Sequence, residues 1–198
     1  MKDFTVGFAM CGSFCTFDAA IETLEKVCAE YKSVIPLMSE SAYNTDSRFG
    51  PAAGFIERVE KLCNRNIIHT ISDAEPVGPN KLLDILVIAP CTGNTLAKIA
   101  HGVTDTAVTM AAKAHLRNNR PLLIAISTND GLSASAPNIG RLLTRKHVYF
   151  VPFYQDDPAK KPTSLISDLE TLPQAIEAAL RGEQVQPLFA VCGVDVNG

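Results

Sequence analysis

The chain has 198 residues, 46% of them hydrophobic and 20% charged, with a formal net charge of −3. That length suits a single domain whose core needs neither disulfide nor metal staple. The mild acidity and the lack of any concentrated basic stretch argue against a nucleic-acid surface, and no apolar run reaches the ~20 residues needed to cross a membrane. Phe4 to Met10 is a short apolar run ending in a small-residue loop, as expected of a buried parallel strand. Phe17, Ala20, Ile21, Leu24, Val27, Cys28 and Tyr31 then recur at helical spacing. Val34 to Met38 reads as a second strand, followed by a polar loop through Asn44, Asp46 and Gly50. Phe55, Ile56, Val59, Leu62 and Cys63 mark the next helix, which Pro51 can start without losing a needed hydrogen bond. Ile67 to Ile71 allows a short strand, and Glu75 to Lys81, with Pro76, Gly78 and Pro79, reads as a loop.

Leu82 to Ala89 is the strongest strand signal, with Pro90 as its stop. Helical stretches follow at Thr95–Ala100 and Thr106–Arg117, then an apolar strand at Pro121–Ile126. Ile139, Leu142 and Leu143 belong to a helix begun at Pro137. Val148 to Val151 is a strand, and Leu169, Leu172, Ile176 and Leu180 define a last helix. This alternation predicts a doubly wound parallel sheet with right-handed crossovers and helices on both faces. One domain is expected over residues 1–182, with a tail over 183–198 that drapes on the body or serves an interface.

The six cysteines form no Cys-x-x-Cys pair, and no Cys/His cluster has zinc spacing, so no metal is expected. Met1-Lys2-Asp3-Phe4 lacks the apolar run and cleavage site of a secretory leader. The expected compartment is the cytoplasm, with reduced thiols. Cys28 and Cys63 fall on apolar helix faces, where a thiol acts as a small hydrophobe.

In such a sheet ligands bind outside the carboxyl ends of the strands. After the first strand comes Cys11-Gly12-Ser13-Phe14-Cys15-Thr16, running into a helix. Gly12 lets a ligand approach the backbone, and the helix start offers amides to a phosphate. The loop carries no Gly-x-Gly-x-x-Gly fingerprint and no Lys-Ser/Thr after Gly12, which excludes a dinucleotide loop and a P-loop. It is equally compatible with a tight turn and a capped helix. Ser39, after the second strand, can donate to the same phosphate or cap a helix.

After the Leu82–Ala89 strand the chain reads Pro90-Cys91-Thr92-Gly93-Asn94-Thr95-Leu96-Ala97-Lys98-Ile99-Ala100-His101-Gly102-Val103-Thr104-Asp105. This resembles the Pro-Ala-Ser-Ala-Asn-Thr signature, with its following Lys-Ile-Ala-x-Gly-x-x-Asp, of the flavin-dependent decarboxylase and flavin prenyltransferase superfamily. Pro90, Asn94, Thr95, Lys98, Ile99, Ala100, Gly102 and Asp105 match it. Thr92 keeps the hydroxyl of the serine it replaces, and Gly93 stays small. The resemblance implies a Rossmann-like (flavodoxin-like) fold, and FMN held by Gly12, Ser13, Ser39, Pro90, Thr92, Gly93, Asn94, Thr95, Lys98, Asp105, Ser127 and Asn129. It also implies a trimer-based homo-oligomer. The segment Ser127-Thr128-Asn129-Asp130 keeps only the asparagine of the decarboxylase branch's substrate clasp, and the chain has no tryptophan. Decarboxylation of a peptidyl cysteine is therefore disfavoured. His69 is the nearest match to that branch's histidine, but its separation from Pro90 is too long, and it reads as a structural histidine at a strand end. His101, His115 and His147 are expected on solvated helix surfaces or exits.

Asn44 to Gly50, Ala74 to Pro79, Arg117 to Pro121 and Gln155 to Pro162 are similar to the B subunits of dipicolinate synthases. That resemblance implies work beside an A subunit that binds NAD(P), in the sporulation-linked oxidation of a tetrahydrodipicolinate precursor to dipicolinate. Such a dicarboxylate substrate calls for cations, and Arg48, then Arg117 and Lys98, are the candidates. The alternatives are an FMN-dependent decarboxylase or prenyltransferase, and a non-catalytic assembly subunit of the same fold. No residue is singled out for proton transfer.

Overall fold

The computed structural model describes residues 1–190. Strand β1 (Lys2–Met10) lies inside the sheet, and its second half, Val6 to Met10, is buried. β2 (Tyr31–Met38) pairs with it in parallel on one side, with Val6 opposite Val34 and Met10 opposite Met38. β3 (Ile85–Cys91) pairs in parallel on the other side, with Val6 opposite Ile85. β4 (Leu122–Thr128) continues the parallel set beyond β3, and β5 (Val148–Phe150) runs parallel to the first half of β4. The chain therefore leaves β1 toward β2 on one side and toward β3 on the other, so the crevice between their carboxyl ends is the switch point of the sheet.

Alternation along each strand sorts the core into two layers. Val6, Phe8 and Met10 face α1 (Phe17–Glu30), α3 (Ala52–Cys63) and α8 (Leu172–Leu180). Ala9, Cys11, Leu86 and Ile88 face α5 (Gly93–His101), α6 (Ala107–Leu116) and α7 (Ala136–Leu143). This is the Rossmann-like, doubly wound architecture expected.

The sheet is mixed rather than purely parallel. β6 (Phe153–Tyr154) and β7 (Leu165–Ser167) form an antiparallel pair, and β7 adds antiparallel to Ser127 and Thr128 of β4. Strands of two and three residues are too short to display a period, so sequence patterning passes over them. The full order is β2-β1-β3-β4-β7-β6, with β5 also on β4.

Other expectations are corrected locally. Tyr31 opens β2 instead of ending α1, and it is buried at 2% exposure. The polar stretch after β2 contains a short helix, α2 (Glu40–Asn44), which Ser39 caps by accepting a hydrogen bond from the Ala42 amide at 3.3 Å. Ile67–Ile71 makes a single parallel bridge, Ile68 to Leu37, and Ile71 already belongs to α4 (Ile71–Ala74). There the Thr70 hydroxyl takes the Asp73 amide and ends any extended run. Pro90 does not stop β3, which continues to Cys91, and the Pro90 carbonyl accepts from the Cys11 amide at 3.1 Å.

Nor is His115 solvated: it is 1% exposed, and its Nε2 donates to the Pro121 carbonyl at 2.9 Å. α6 is buried on more than one side, because Gly78 packs directly on its Ala114 carbonyl. The first part of the tail lies along the sheet. The Gln184 side chain brackets Phe150 with two backbone hydrogen bonds of 2.8 and 2.7 Å, and Phe153 bonds the backbone of Leu188 and Ala190. The rest of the tail, including Cys192, lies outside the described residues.

Candidate functional site

Four loops meet at the carboxyl ends of β1 to β4. Leaving β1, Cys11-Gly12-Ser13 turns into a single 3-10 turn, Phe14–Thr16, that leads into α1. The Ser13 hydroxyl lies 2.7 Å from that of Ser127 at the end of β4, and Thr16 donates to the Ser13 carbonyl at 2.8 Å. From β2, the Ser39 amide donates to the Met10 carbonyl at 3.0 Å, and its hydroxyl is 3.1 Å from that of Ser41. A Cβ at Gly12 would sit 3.2 Å from the Ser41 hydroxyl, a tight contact, so glycine eases the approach of these two loops. From β3, Thr92 caps α5 by accepting from the Thr95 amide at 3.3 Å.

Two adjoining cavities fill the space between the loops and share Gly12 and Thr92 in their walls. The first, of about 330 Å³, is lined by Ser39, Glu40, Ser41, Asn94, Thr95, Lys98 and Thr106. The second, of about 200 Å³, is lined by Ser13, Cys15, Thr16, Ser127, Thr128, Asn129, Asp156, Lys161 and Ser164, with Leu165 and Ile166 of β7. Together they form a hydroxyl-lined groove across the switch point.

Its charges are placed in opposed pairs. Lys98 meets Asp105 at 2.9 Å, and that hydrogen bond holds the Asp105 carboxyl below the usual carboxylate range. In the smaller cavity Lys161 meets Asp156 at 2.8 Å. Burial pushes Asp156 upward, but the hydrogen bonds from Lys161 and Ser164, together with the Lys161 charge, outweigh it and the carboxyl lies below its ordinary value. Glu40 accepts the Ala107 amide at the start of α6 at 3.2 Å, while its second oxygen is buried without a partner. An unmatched Oδ1 on Asp156 repeats that pattern in the other cavity. Each oxygen is a hydrogen-bond acceptor ready for a ligand donor. Cys11 and Cys91 are not nucleophiles here, since burial pushes the Cys11 thiol up to about 11 and Cys91 well above its usual value.

Of the residues expected at the site, Gly12, Ser13, Ser39, Thr92, Asn94, Thr95, Lys98, Ser127 and Asn129 line the groove. Pro90 lies in β3 just before it, and Asp105 lies outside both cavities but pairs with Lys98, which lines one. Gly93 is buried behind the groove wall: a side chain there would come 2.7 Å from both Asp130 Oδ1 and Thr128 Oγ1. Arg48 is exposed in the loop after α2, stacked 4.8 Å over Phe49, and lines neither cavity. Arg117 follows α6 and precedes β4, which puts it at the opposite, amino-terminal end of the sheet. His69 stacks on Tyr43 at 3.7 Å, with its Nδ1 3.3 Å from the Ile67 carbonyl, and lines neither cavity.

Sequence reasoning missed Glu40, Ser41, Thr106, Thr128, Asp156 and Lys161. Glu40 and Ser41 directly follow Ser39 and were reachable by the strand-end rule. Asp156 and Lys161 are brought in by the β6–β7 connection, and their only signal was the charged run Gln155 to Pro162. Among the described residues no cluster of three or more His, Cys, Asp or Glu side chains has the arrangement of a metal site, and no helix is long and apolar enough to cross a membrane.

Residues 1–160 match the Flavoprotein family model. The chain is 43% identical over 189 residues to the dipicolinate synthase B subunit of Bacillus subtilis (strain 168), covering 96% of this chain and 94% of that one. Its fold superposes on the crystal structure of the dipicolinate synthase B subunit from Bacillus halodurans with a TM-score of 0.87 at 41% identity, covering 95% and 96% of the two chains. The FMN-dependent cysteine decarboxylase SpaF shares the fold at a TM-score of 0.63 and 20% identity, over 90% of this chain and 95% of that one.

Proposed function

The chain belongs to the flavoprotein family, within it to the group of dipicolinate synthase B subunits, and from this we propose that it binds FMN in the strand-end groove and works with an A subunit to oxidise a tetrahydrodipicolinate precursor to dipicolinate. The observation that carries the reading is the convergence of Gly12, Ser13, Ser39, Thr92 and Thr95 from three strand ends onto one groove at the switch point. The residues fit the cofactor. Gly12 leaves the backbone open, hydroxyls line both cavities, and the start of α5 offers amides and a positive partial charge.

In this reading Gly12 and Ser13 hold the phosphate, and Thr92 to Thr95 support the flat ring in the larger cavity. When bound, FMN would supply a hydride acceptor for aromatising the substrate ring, in place of or in sequence with NAD(P) on the A subunit. Lys161 and Lys98 line the groove and meet the substrate carboxylates, a task for which Arg48 and Arg117 are poorly placed in a single chain. The free oxygens of Asp156 and Glu40 accept hydrogen bonds from substrate hydroxyl or ring N–H groups, and orient the ring edge that must lose protons.

Gly12→Asp places a carboxylate where the phosphate is held. It is expected to weaken FMN binding by on the order of 2–4 kcal/mol in a fluorescence titration. Equal affinity of wild type and variant, or no affinity in either, would refute the site. Dipicolinate formation is expected only when both subunits are mixed, and full activity from either alone would overturn the two-subunit reading.

A further inference from the structure

At the other end of the sheet a further cavity, of about 570 Å³, opens between the starts of β1 and β2 and the last turns of α1 and α3. Cys28 of α1 and Cys63, the last residue of α3, line it with their Sγ atoms 3.9 Å apart. Both are free thiols and both are half-buried, so a small reagent in the cavity reaches them. They are 35 residues apart in sequence, so only the packing of α1 on α3 creates the pair. The other described cysteines are situated differently: Cys11 and Cys91 are fully buried, and Cys15 is exposed at the far end of the sheet.

We propose that Cys28 and Cys63 are a peroxide-oxidisable pair that closes to an intramolecular disulfide. The two sulfurs need to approach by only about 2 Å to reach bonding distance. The Cys28 thiolate attacks one peroxide oxygen, the O–O bond breaks, and hydroxide leaves a sulfenic acid on Cys28. The Cys63 sulfur then attacks the Cys28 sulfur, the S–O bond breaks and water departs. Overall, two thiols give up two electrons and two protons, and one hydrogen peroxide becomes two waters. The order of events follows from the hydrogen bond between the thiols, which lowers Cys28 and raises Cys63. The new bond ties the ends of α1 and α3 together beside β2, remote from the strand-end groove.

The test is a non-reducing peptide map of the wild-type protein after mild hydrogen peroxide treatment and alkylation of the remaining thiols. The expected result is a peptide containing Cys28 joined to one containing Cys63, released by reductant, with FMN affinity unchanged. Cys63→Ser is expected to abolish the joined peptide and leave Cys28 to over-oxidise to the sulfinic acid. If both wild-type thiols stay open to alkylation, or oxidise singly, or pair with Cys15, the proposal is wrong. The wild-type map decides this even if the variant fails to fold.

Discussion

At the residue scale, His115 shows how burial reverses a surface expectation. Burial lowers its pKa from the ordinary 6.5 to about 4, while the Pro121 carbonyl opposes the shift. The folded protein therefore holds a neutral ring with its proton on Nε2. Between pH 6.5 and 4 the unfolded chain binds a proton that the folded chain refuses, so stability is present above 6.5 and is lost as pH falls toward 4. The expected loss is about 3 kcal/mol across that window, read from urea midpoints at successive pH values. His115→Gln, which keeps a donor toward Pro121, should flatten that dependence. A wild-type curve with no slope there would show that the ring is not buried neutral. Sequence alone puts this residue on a surface because Ala107 to Ala114 is rich in alanine, and alanine marks no face clearly.

At the element scale, α5 carries the cofactor signature, and its seating depends on Gly93. The helix starts against the loop between β4 and α7, where Ser135 donates to Asp130 Oδ1 at 2.9 Å and Thr128 also bonds Asp130. A methyl at Gly93 would drive into this knot, so Gly93→Ala is expected to cost about 1–3 kcal/mol in urea unfolding and to weaken FMN binding as the helix start shifts. Gly102, at the other end of the same helix, serves as the contrast. It has φ +74° but open space around it, so Gly102→Ala should cost only about 1 kcal/mol and leave FMN binding alone. Equal effects at both positions would remove the packing argument. Long apolar elements such as β1 and β3 were legible from their sequence, whereas β6, β7, α2 and α4 were not, because elements of two to five residues owe their form to their neighbours.

At the scale of the whole molecule, the family resemblance implies a homo-oligomer, and exposed apolar residues such as Val103 (44%) and Leu132 (50%) are candidates for its contacts. Light scattering is expected to report a mass that is a multiple of 21.3 kDa, with three subunits as the base unit. A single-subunit mass across a wide concentration range would eliminate that assembly. The amino-acid sequence by itself determined the parallel α/β core with helices on both faces of its sheet and the hydroxyl-bearing residues at the strand ends, because hydrophobic periodicity and glycine-to-helix transitions are local properties of the chain. Only the tertiary structure decided which charges share the groove. Lys161 and Asp156 arrive there through a connection far along the chain, Arg117 is carried to the opposite end by the direction of α6, and Cys28 meets Cys63 through helix packing. Those placements depend on crossovers and contacts between distant residues, and no local pattern records them.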